Sequence, residues 1–160
     1  MNIYIITVSD RASRGEYEDL SGPEAEKLLR EGMKLQKVTR EIVPDEPENI
    51  LDALTHGIEY DLILTTGGTG MSERDITPEI TEQFCDRELP GIAEAIRRES
   101  EKETPFALLS RGYSGQKGPS LVVNLPGSVK AVRTGVRVLL PVLQHAGKMI
   151  RGEGHEEKPC

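Results

Sequence analysis

Two segments of the sequence have the composition of anion-binding loops. The first is Gly67-Gly68-Thr69-Gly70, whose glycines would let backbone N–H groups approach a phosphate closely. This segment matches neither the GxxxxGK[ST] nor the GxGxxG phosphate signature, and a tight turn after a strand explains a lone glycine cluster equally well. The second is Pro126-Gly127-Ser128, which opens a predicted helix. Helix N-termini suit anions, although a turn of this kind more often only starts a helix.

Two aspartates are the candidate catalytic residues, because both fall in loops expected to lie beside the glycine segment. Their carboxylate oxygens could hold Mg²⁺ next to a substrate phosphate. Asp45 lies two residues before Pro47 and could instead simply cap the next helix. Asp75 lies two residues before Thr77, which is itself predicted to be a helix N-cap, so capping explains Asp75 less well.

Arginines are the third group of candidate binding residues, since a guanidinium group suits two-point contact with phosphate. Those in or near the loops are Arg11, Arg14, Arg74 and Arg111. Ser110 and Arg111 end an apolar stretch and could reach the same region from another loop, although surface arginines are common. The histidines form no zinc signature, and no motif supports a Ser–His–Asp or Cys–His nucleophile.

Apolar runs predict the strands that must position these loops. Ile3–Val8, Leu62–Thr66 and Leu121–Leu125 are rich in β-branched residues and continuously apolar, as is typical of strands covered on both faces. Lys37–Val43 alternates in polarity, which predicts a half-exposed strand near a sheet edge.

Helices are predicted between the strands from their capping residues and prolines. They are expected to open at Ser21, near Pro47, at Thr77, at Pro90 and near Val129, and Pro141 is expected to break or kink the last one. Strands that alternate with helices indicate an α/β fold with a parallel sheet. Ligands bind outside the carboxyl ends of parallel strands, so we expect the glycine loops, Asp45 and Asp75 to converge on one edge.

The composition restricts the class of protein. A chain of 160 residues fits one domain, because folded domains cluster near ~100–150 residues. We expect a domain over residues 1–152 and a flexible tail over 153–160. The net charge of −7 and the aromatic content of 4% argue against a nucleic-acid polymer as partner. With no signal-peptide pattern, no apolar stretch near ~20 residues and only two cysteines, we expect a cytoplasmic protein without a membrane segment.

An ordered set of motifs resembles the molybdenum cofactor biosynthesis proteins of the MogA/MoaB type. The main match is Thr65–Gly70 followed by Arg74–Glu79. Shorter matches occur in family order at Val8–Ser13, Pro44–Glu46, Pro90–Gly91, Leu109–Arg111 and Asn124–Ser128. The set covers nearly the whole chain and is far more specific than a single glycine motif.

The resemblance implies a three-layer αβα sandwich with a mostly parallel sheet, assembled as a homotrimer. It implies binding of molybdopterin and, in the catalytic branch, Mg²⁺-dependent transfer of AMP from ATP to its terminal phosphate, before transfer to the molybdate-insertion enzyme. The aspartates that the family uses for catalysis and for the metal match Asp45 and Asp75. The segments that bind substrate match Ser9, Asp10, Gly67, Gly68, Thr69, Gly70, Ser110, Arg111, Pro126, Gly127 and Ser128.

Two other functions stay open at this point. Some members of the family share the fold and the loops but have no established adenylylation activity, so a non-catalytic molybdopterin-binding or scaffolding trimer is the alternative. A related glycine loop occurs in nucleotide pyrophosphatases of the competence-damage type, where Leu usually stands at the position of Thr69. Because Leu109–Arg111 and Asn124–Gly127 look more like the catalytic branch, we expect the adenylyltransferase.

Overall fold

The computed structural model describes residues 1–150, in which strands and helices alternate along the chain. The strands are β1 (Asn2–Val8), β2 (Lys37–Val43), β3 (Leu62–Thr66), β4 (Arg87–Glu88), β5 (Ser114–Lys117) and β6 (Ser120–Leu125). The helices are α1 (Asp10–Ser13), α2 (Ser21–Gly32), α3 (Pro47–His56), α4 (Thr77–Phe84), α5 (Pro90–Glu101) and α6 (Val129–Ile150). A 3₁₀ helix, Pro105–Leu109, follows α5.

Both faces of the sheet are buried, and they divide the core in two. Along β1, Ile3 and Ile5 belong to one apolar cluster, whereas Tyr4, Ile6 and Val8 belong to the other. The first cluster includes side chains of α2, α5 and α6, and the second includes side chains of α3 and α4. This alternation, which follows from the two-residue period of a strand, confirms the predicted three-layer sandwich.

The four parallel strands lie side by side in the order β2-β1-β3-β6. Their last residues are in register, since Val8 pairs with Val43 and Thr66 pairs with Leu125. All four carboxyl ends therefore meet at one edge of the sheet. Strand β2 is outermost and mostly exposed or half-buried, as its alternating sequence predicts.

Strands β4 and β5 complete the sheet beyond β6 and are antiparallel, and the sequence pattern does not predict them. The first has two exposed residues, and the second has the polar sequence Ser114–Lys117. Neither carries the apolar, β-branched signal that marks the other strands. The sheet is consequently mixed, although mostly parallel.

Of the predicted break or kink at Pro141, the break is wrong, because helix α6 passes through Pro141 without interruption. Proline removes one backbone hydrogen bond from a helix interior. Val136, Leu139 and Leu143 are fully buried on the two sides of Pro141, and their packing on the sheet holds the helix together. The expected tail, 153–160, lies outside the described residues. Within residues 1–150, no helix combines the length and apolar character that crossing a membrane requires.

Leu64 lies in the central strand β3 and is fully buried, whereas Leu51 on α3 is 44% exposed. We expect Leu64→Ala to lower the free energy of unfolding by about 2–5 kcal/mol, because it removes buried methyl groups and leaves a cavity. The control Leu51→Ala should change it by no more than about 0.5 kcal/mol. Urea denaturation followed by circular dichroism measures both values. Equal losses would contradict the central position of β3 in the core.

Candidate active site

The glycine loop after β3 makes a turn that side chains would not permit. Gly67 and Gly68 have φ angles of +93° and +64°, in the left-handed region that glycine adopts most readily. A Cβ atom on Gly67 would collide with the carbonyl oxygen of Val8, and one on Gly68 would collide with Oγ1 of Thr77. The same Cβ on Gly68 would lie 3.2 Å from Oδ1 of Asp45. The loop is therefore pressed between the end of β1, the start of α4 and the loop that carries Asp45.

Thr77 does not cap α4, contrary to the sequence prediction. Ile76 occupies the N-cap position and Thr77 is the first helical residue, with its N–H donating to the carbonyl of Gly68 at 3.1 Å. The Thr77 hydroxyl is buried and, within the described part of the chain, has no hydrogen-bond partner. The capping pattern predicted the wrong position for Thr77, because its N–H is bound to the glycine loop and the residue is drawn into the first turn of the helix.

Asp45 is held by Asp10 and does not cap α3. The N–H of Asp10 donates to Oδ2 of Asp45 at 2.8 Å, and the N–H of Asp45 donates to Oδ1 of Asp10 at 3.0 Å. Glu46 occupies the N-cap position of α3, and no side chain caps that helix end. The reciprocal pair joins the loop after β1 to the loop after β2. The capping explanation of Asp45, which the sequence left open, does not hold.

Arg74 connects a third loop to this pair. Its Nε and Nη2 atoms donate to the two carboxylate oxygens of Asp10 at 3.1 and 2.9 Å, and Nη2 also donates to Glu46 at 2.9 Å. The guanidinium group lowers the pKa of Asp10 below its usual range. Arg74 was a candidate phosphate ligand, but in this structure its donors are used to align the loops.

Asp75 and Asp45 differ in their electrostatic surroundings. Burial raises the pKa of Asp75, but hydrogen bonds from Ser72 and Gly70 and the charge of Arg111 outweigh it and leave that pKa below the usual value. The pKa of Asp45 is raised, first by burial and then by the negative charges of Asp10 and Asp75. The negative charge of Asp75 therefore acts on Asp45, and a bound cation would reduce the repulsion between the two candidate catalytic carboxylates.

Arg111 holds the glycine loop against the segment that carries Asp75. Its N–H donates to the carbonyl of Thr69 at 3.0 Å, and its Nε donates to the carbonyl of Gly70 at 2.7 Å. The guanidinium group also donates to the carbonyl of Asp75 and pairs with Glu79. Arg111 thus orders the loop, a role that sequence position alone does not reveal.

The other two candidate arginines also contact groups of the protein. Arg14 forms an ion pair with Glu16 at 2.8 Å, and the guanidinium of Arg11 lies 5.1 Å from the ring centre of Tyr17. The arginines near the strand ends therefore brace loops in this structure. A phosphate at this edge would rely first on backbone N–H groups.

A cavity of about 510 Å³ opens at the carboxyl edge of the sheet. The candidate residues that line it are Gly67, Gly68, Thr69, Gly70, Asp75, Ser110, Pro126, Gly127 and Ser128. Asp45, Asp10 and Arg111 do not line this cavity: Arg111 donates to the lining residue Gly70, Asp45 lies beside Gly68, and Asp10 is joined to Asp45. Ser9 lines a smaller cleft of about 280 Å³, which shares Gly67, Gly127 and Ser128 with the cavity. The Ser9 hydroxyl accepts the N–H of Ala12 and so caps α1.

The cavity also contains residues that sequence reasoning did not find. They come from the end of α5, the following turn and 3₁₀ helix, and the first half of α6, and include Ser100, Glu103, Phe106, Lys130 and Thr134. Those of α5, the turn after it and the 3₁₀ helix follow no strand of the parallel sheet, whereas Lys130 and Thr134 lie in α6, beyond the turn that follows β6. The rule that ligands bind at strand ends could not identify them, because only the folding of α5 and α6 onto the sheet brings them there.

The two aspartates determine which metal the site could hold. Among residues 1–150, no group of three or more His, Cys, Asp or Glu side chains is arranged to bind a metal ion. Mg²⁺ usually takes one or two protein carboxylates, with water and substrate phosphates as its remaining ligands. Asp45 and Asp75 therefore fit Mg²⁺ that arrives with a nucleotide. They do not fit a metal held by protein side chains alone.

Comparison with known sequences identifies the family. Residues 4–145 match the family described as "Probable molybdopterin binding domain". The molybdopterin adenylyltransferase of Helicobacter pylori (strain ATCC 700392 / 26695) is 40% identical over 156 residues, which cover 95% of this chain and 89% of that protein.

Comparison with solved structures gives the same result. A structure of MogA aligns with a TM-score of 0.89 and 39% identity, covering 94% of this chain and 99% of the other. The tungsten cofactor synthesizing protein MoaB from Pyrococcus furiosus aligns with a TM-score of 0.86 and 37% identity, covering 94% and 96%. With its loop motifs, its three-layer fold and these matches in agreement, the chain belongs to the molybdopterin-binding domain family of the MogA and MoaB proteins.

Proposed function

We propose that this protein is a molybdopterin adenylyltransferase, which transfers AMP from ATP to the terminal phosphate of molybdopterin and releases pyrophosphate. This reaction is a step in molybdenum cofactor biosynthesis. The observation that carries the proposal is the approach of both Asp45 and Asp75 to the loop Gly67–Gly70, which lines the cavity together with Asp75. The name of the Helicobacter pylori relative, which this chain matches over most of its length, supports the same reaction.

The backbone around the cavity is suited to binding the phosphate groups. The loop Gly67–Gly70 presents main chain without Cβ atoms at three of its four positions. The turn Pro126–Ser128 leads into α6, a helix of 22 residues whose N-terminal N–H groups favour an anion. Two amide-rich turns at one cavity fit a reaction that joins two phosphates.

The reaction forms one bond and breaks another at the α-phosphorus of ATP. An oxygen of the molybdopterin phosphate attacks this phosphorus, and the bond to the oxygen that bridges to the β-phosphate breaks, so that pyrophosphate leaves. Both reactants are anions, and the transition state needs dipoles and positive charge placed in advance. Mg²⁺, when bound, supplies such charge.

The side chains of the site hold these groups in place. Asp45 and Asp75 would bind the metal ion from two different loops. Arg74 and Arg111 fix those loops, through Asp10 on one side and Gly70 on the other. Because neither arginine has to move to form the site, the carboxylates are positioned before substrate arrives.

We also propose a homotrimer in the cytoplasm, where ATP is available, that passes its product to the molybdate-insertion enzyme. An apolar groove of about 750 Å³ supports subunit contact, and Leu89, Ile92, Val138 and Val142 contribute to its lining. Leu89 and Val142 are 37% and 43% exposed in the single chain. A second copy of the chain would cover these side chains.

Light scattering of the purified protein tests the assembly. We expect a mass three times that of the 17.7 kDa chain, because subunit contact buries the apolar groove. A strict monomer at micromolar concentration would contradict the trimer.

Asp75→Asn tests the proposed reaction, because it keeps the shape of the side chain and removes its charge. We expect turnover to fall by at least about 10²-fold, the usual cost of losing one group that stabilises developing charge. The assay combines purified protein with molybdopterin, Mg²⁺ and labelled ATP and detects adenylylated pterin. Asp52→Asn, an exposed change on α3, is the matched control and should keep full activity.

Near-normal turnover in Asp75→Asn would contradict the assignment of Asp75. In the wild-type protein, tight molybdopterin binding without transfer would indicate the scaffolding function instead. Hydrolysis of free dinucleotides would indicate a pyrophosphatase.

Gly68→Ala tests the role of the glycine turn. The new methyl group would meet the Thr77 hydroxyl and the Asp45 carboxylate in a backbone conformation that alanine adopts with strain. We expect a lower melting temperature and a severe loss of transfer. Gly118→Ala is the control, since Gly118 also has a positive φ of +51° but a Cβ there meets nothing within 4 Å, and it should keep full activity. Unchanged activity of Gly68→Ala would show that the turn tolerates a side chain.

A further inference from the structure

One end of the cavity holds an acidic residue that the reaction described above does not use. Glu103 lies in the turn after α5 and lines the cavity together with Thr134 and Lys130 of α6. The Thr134 hydroxyl donates to Oε1 of Glu103 at 2.5 Å, and Nζ of Lys130 lies 3.2 Å from Oε2. These two contacts lower the pKa of Glu103, so its carboxylate is charged at neutral pH.

The Glu103 carboxylate is fixed in position and retains capacity to accept hydrogen bonds. Its side chain is 27% exposed, and Thr134 is buried at 1% exposure. A carboxylate has about four acceptor positions, of which Thr134 and Lys130 use one on each oxygen. The two oxygens can therefore each accept one further N–H group from a molecule in the cavity.

A second observation at the same end also indicates a ligand. Ser100 lines the cavity and is 8% exposed, and its hydroxyl oxygen is buried without a hydrogen-bond partner in the described chain. A buried polar group without a partner is costly and uncommon in folded proteins. Together, Glu103, Thr134 and Ser100 form a polar end to the cavity. Their side chains supply its polar groups, whereas the backbone supplies them at the glycine-rich end.

The wall between these ends is apolar. Phe106, Ala107 and Leu109 of the 3₁₀ helix line the cavity, although Phe106 is 76% exposed and Leu109 is 53% exposed. Exposed apolar side chains beside a concave site are typical of ligand-binding surfaces. An apolar wall that ends in a fixed carboxylate fits a flat heteroaromatic ring whose polar edge carries hydrogen-bond donors.

The donor pattern distinguishes the two rings of the proposed substrates. The pyrimidine edge of a pterin presents a ring N–H beside an amino group, which places two donors next to each other. The corresponding edge of adenine presents an amino donor beside a ring nitrogen that accepts. A carboxylate only accepts when ionised, so it matches the pterin edge and repels the ring nitrogen of adenine.

On the basis of the proposed function, we propose that Glu103 is the specificity residue for the pterin. It accepts the ring N–H and the amino group of the pterin edge, while Thr134 fixes the orientation of its carboxylate. The ring lies against the 3₁₀ helix. The phosphate of the same molecule extends towards the loop Gly67–Gly70, and ATP approaches from the side of Asp45 and Asp75.

Glu103→Gln tests this assignment, because it keeps the shape of the side chain and replaces one acceptor by a donor. We expect the KM for molybdopterin to rise roughly 10–100-fold, the size expected for a hydrogen bond to a charged group. The kcat and the KM for ATP should stay within about twofold. Glu101→Gln, an exposed change two residues earlier, is the matched control and should leave all three values unchanged.

A binding measurement that does not depend on catalysis separates this inference from the proposed function. Pterin and lumazine differ only in that lumazine carries an oxygen in place of the amino group, and their fluorescence reports binding. The wild-type protein and Glu101→Gln should prefer pterin by at least about tenfold, and Glu103→Gln should lose that preference.

The outcomes have distinct meanings. An equal preference for pterin in Glu103→Gln and in the wild type would overturn the role of Glu103 while leaving the transfer reaction untouched. Absence of any preference in the wild type would also overturn it. A wild-type protein that prefers pterin through Glu103 but transfers no AMP would support the specificity residue and contradict the adenylyltransferase.

Discussion

The chain that leaves strand β3 turns in contact with the end of β1, and this turn is possible only because positions 67 and 68 have no side chains. The turn brings the main chain into contact with the carbonyl of Val8 and with the start of α4. It also places the loop directly against Asp45. The start of α4 and one wall of the cavity take their positions from this turn, and both candidate carboxylates lie beside it.

Local signals in the sequence were sufficient for most of the fold. β-branched runs marked β1, β3 and β6, and prolines marked the starts of α3 and α5 close to where they lie. Such signals depend on a few neighbouring residues. Strands β4 and β5 have no such signal, and α6 continues through Pro141 because packing on the sheet outweighs the local preference.

The candidate site was predictable in its location but not in the contacts within it. The carboxyl ends of parallel strands identified the loops that carry Asp45 and Asp75. Whether Asp45 capped a helix depended on Asp10, 35 residues earlier in the chain. The braces formed by Arg74 and Arg111, and the polar end around Glu103, likewise depend on partners that are distant in sequence. A pattern that is read from a few neighbouring residues of the sequence cannot predict such contacts.

These separations affect how the site comes into being. Arg74 reaches Asp10 across 64 residues, and Arg111 reaches Gly70 across 41. The turn after β6 enters the cavity only when the last parallel strand has joined the sheet. Contacts of this range slow folding, because closing a long loop costs chain entropy before the contact forms. The glycine loop and the Pro126–Ser128 turn therefore line one cavity only in a chain that already includes β6 and has paired it with β3.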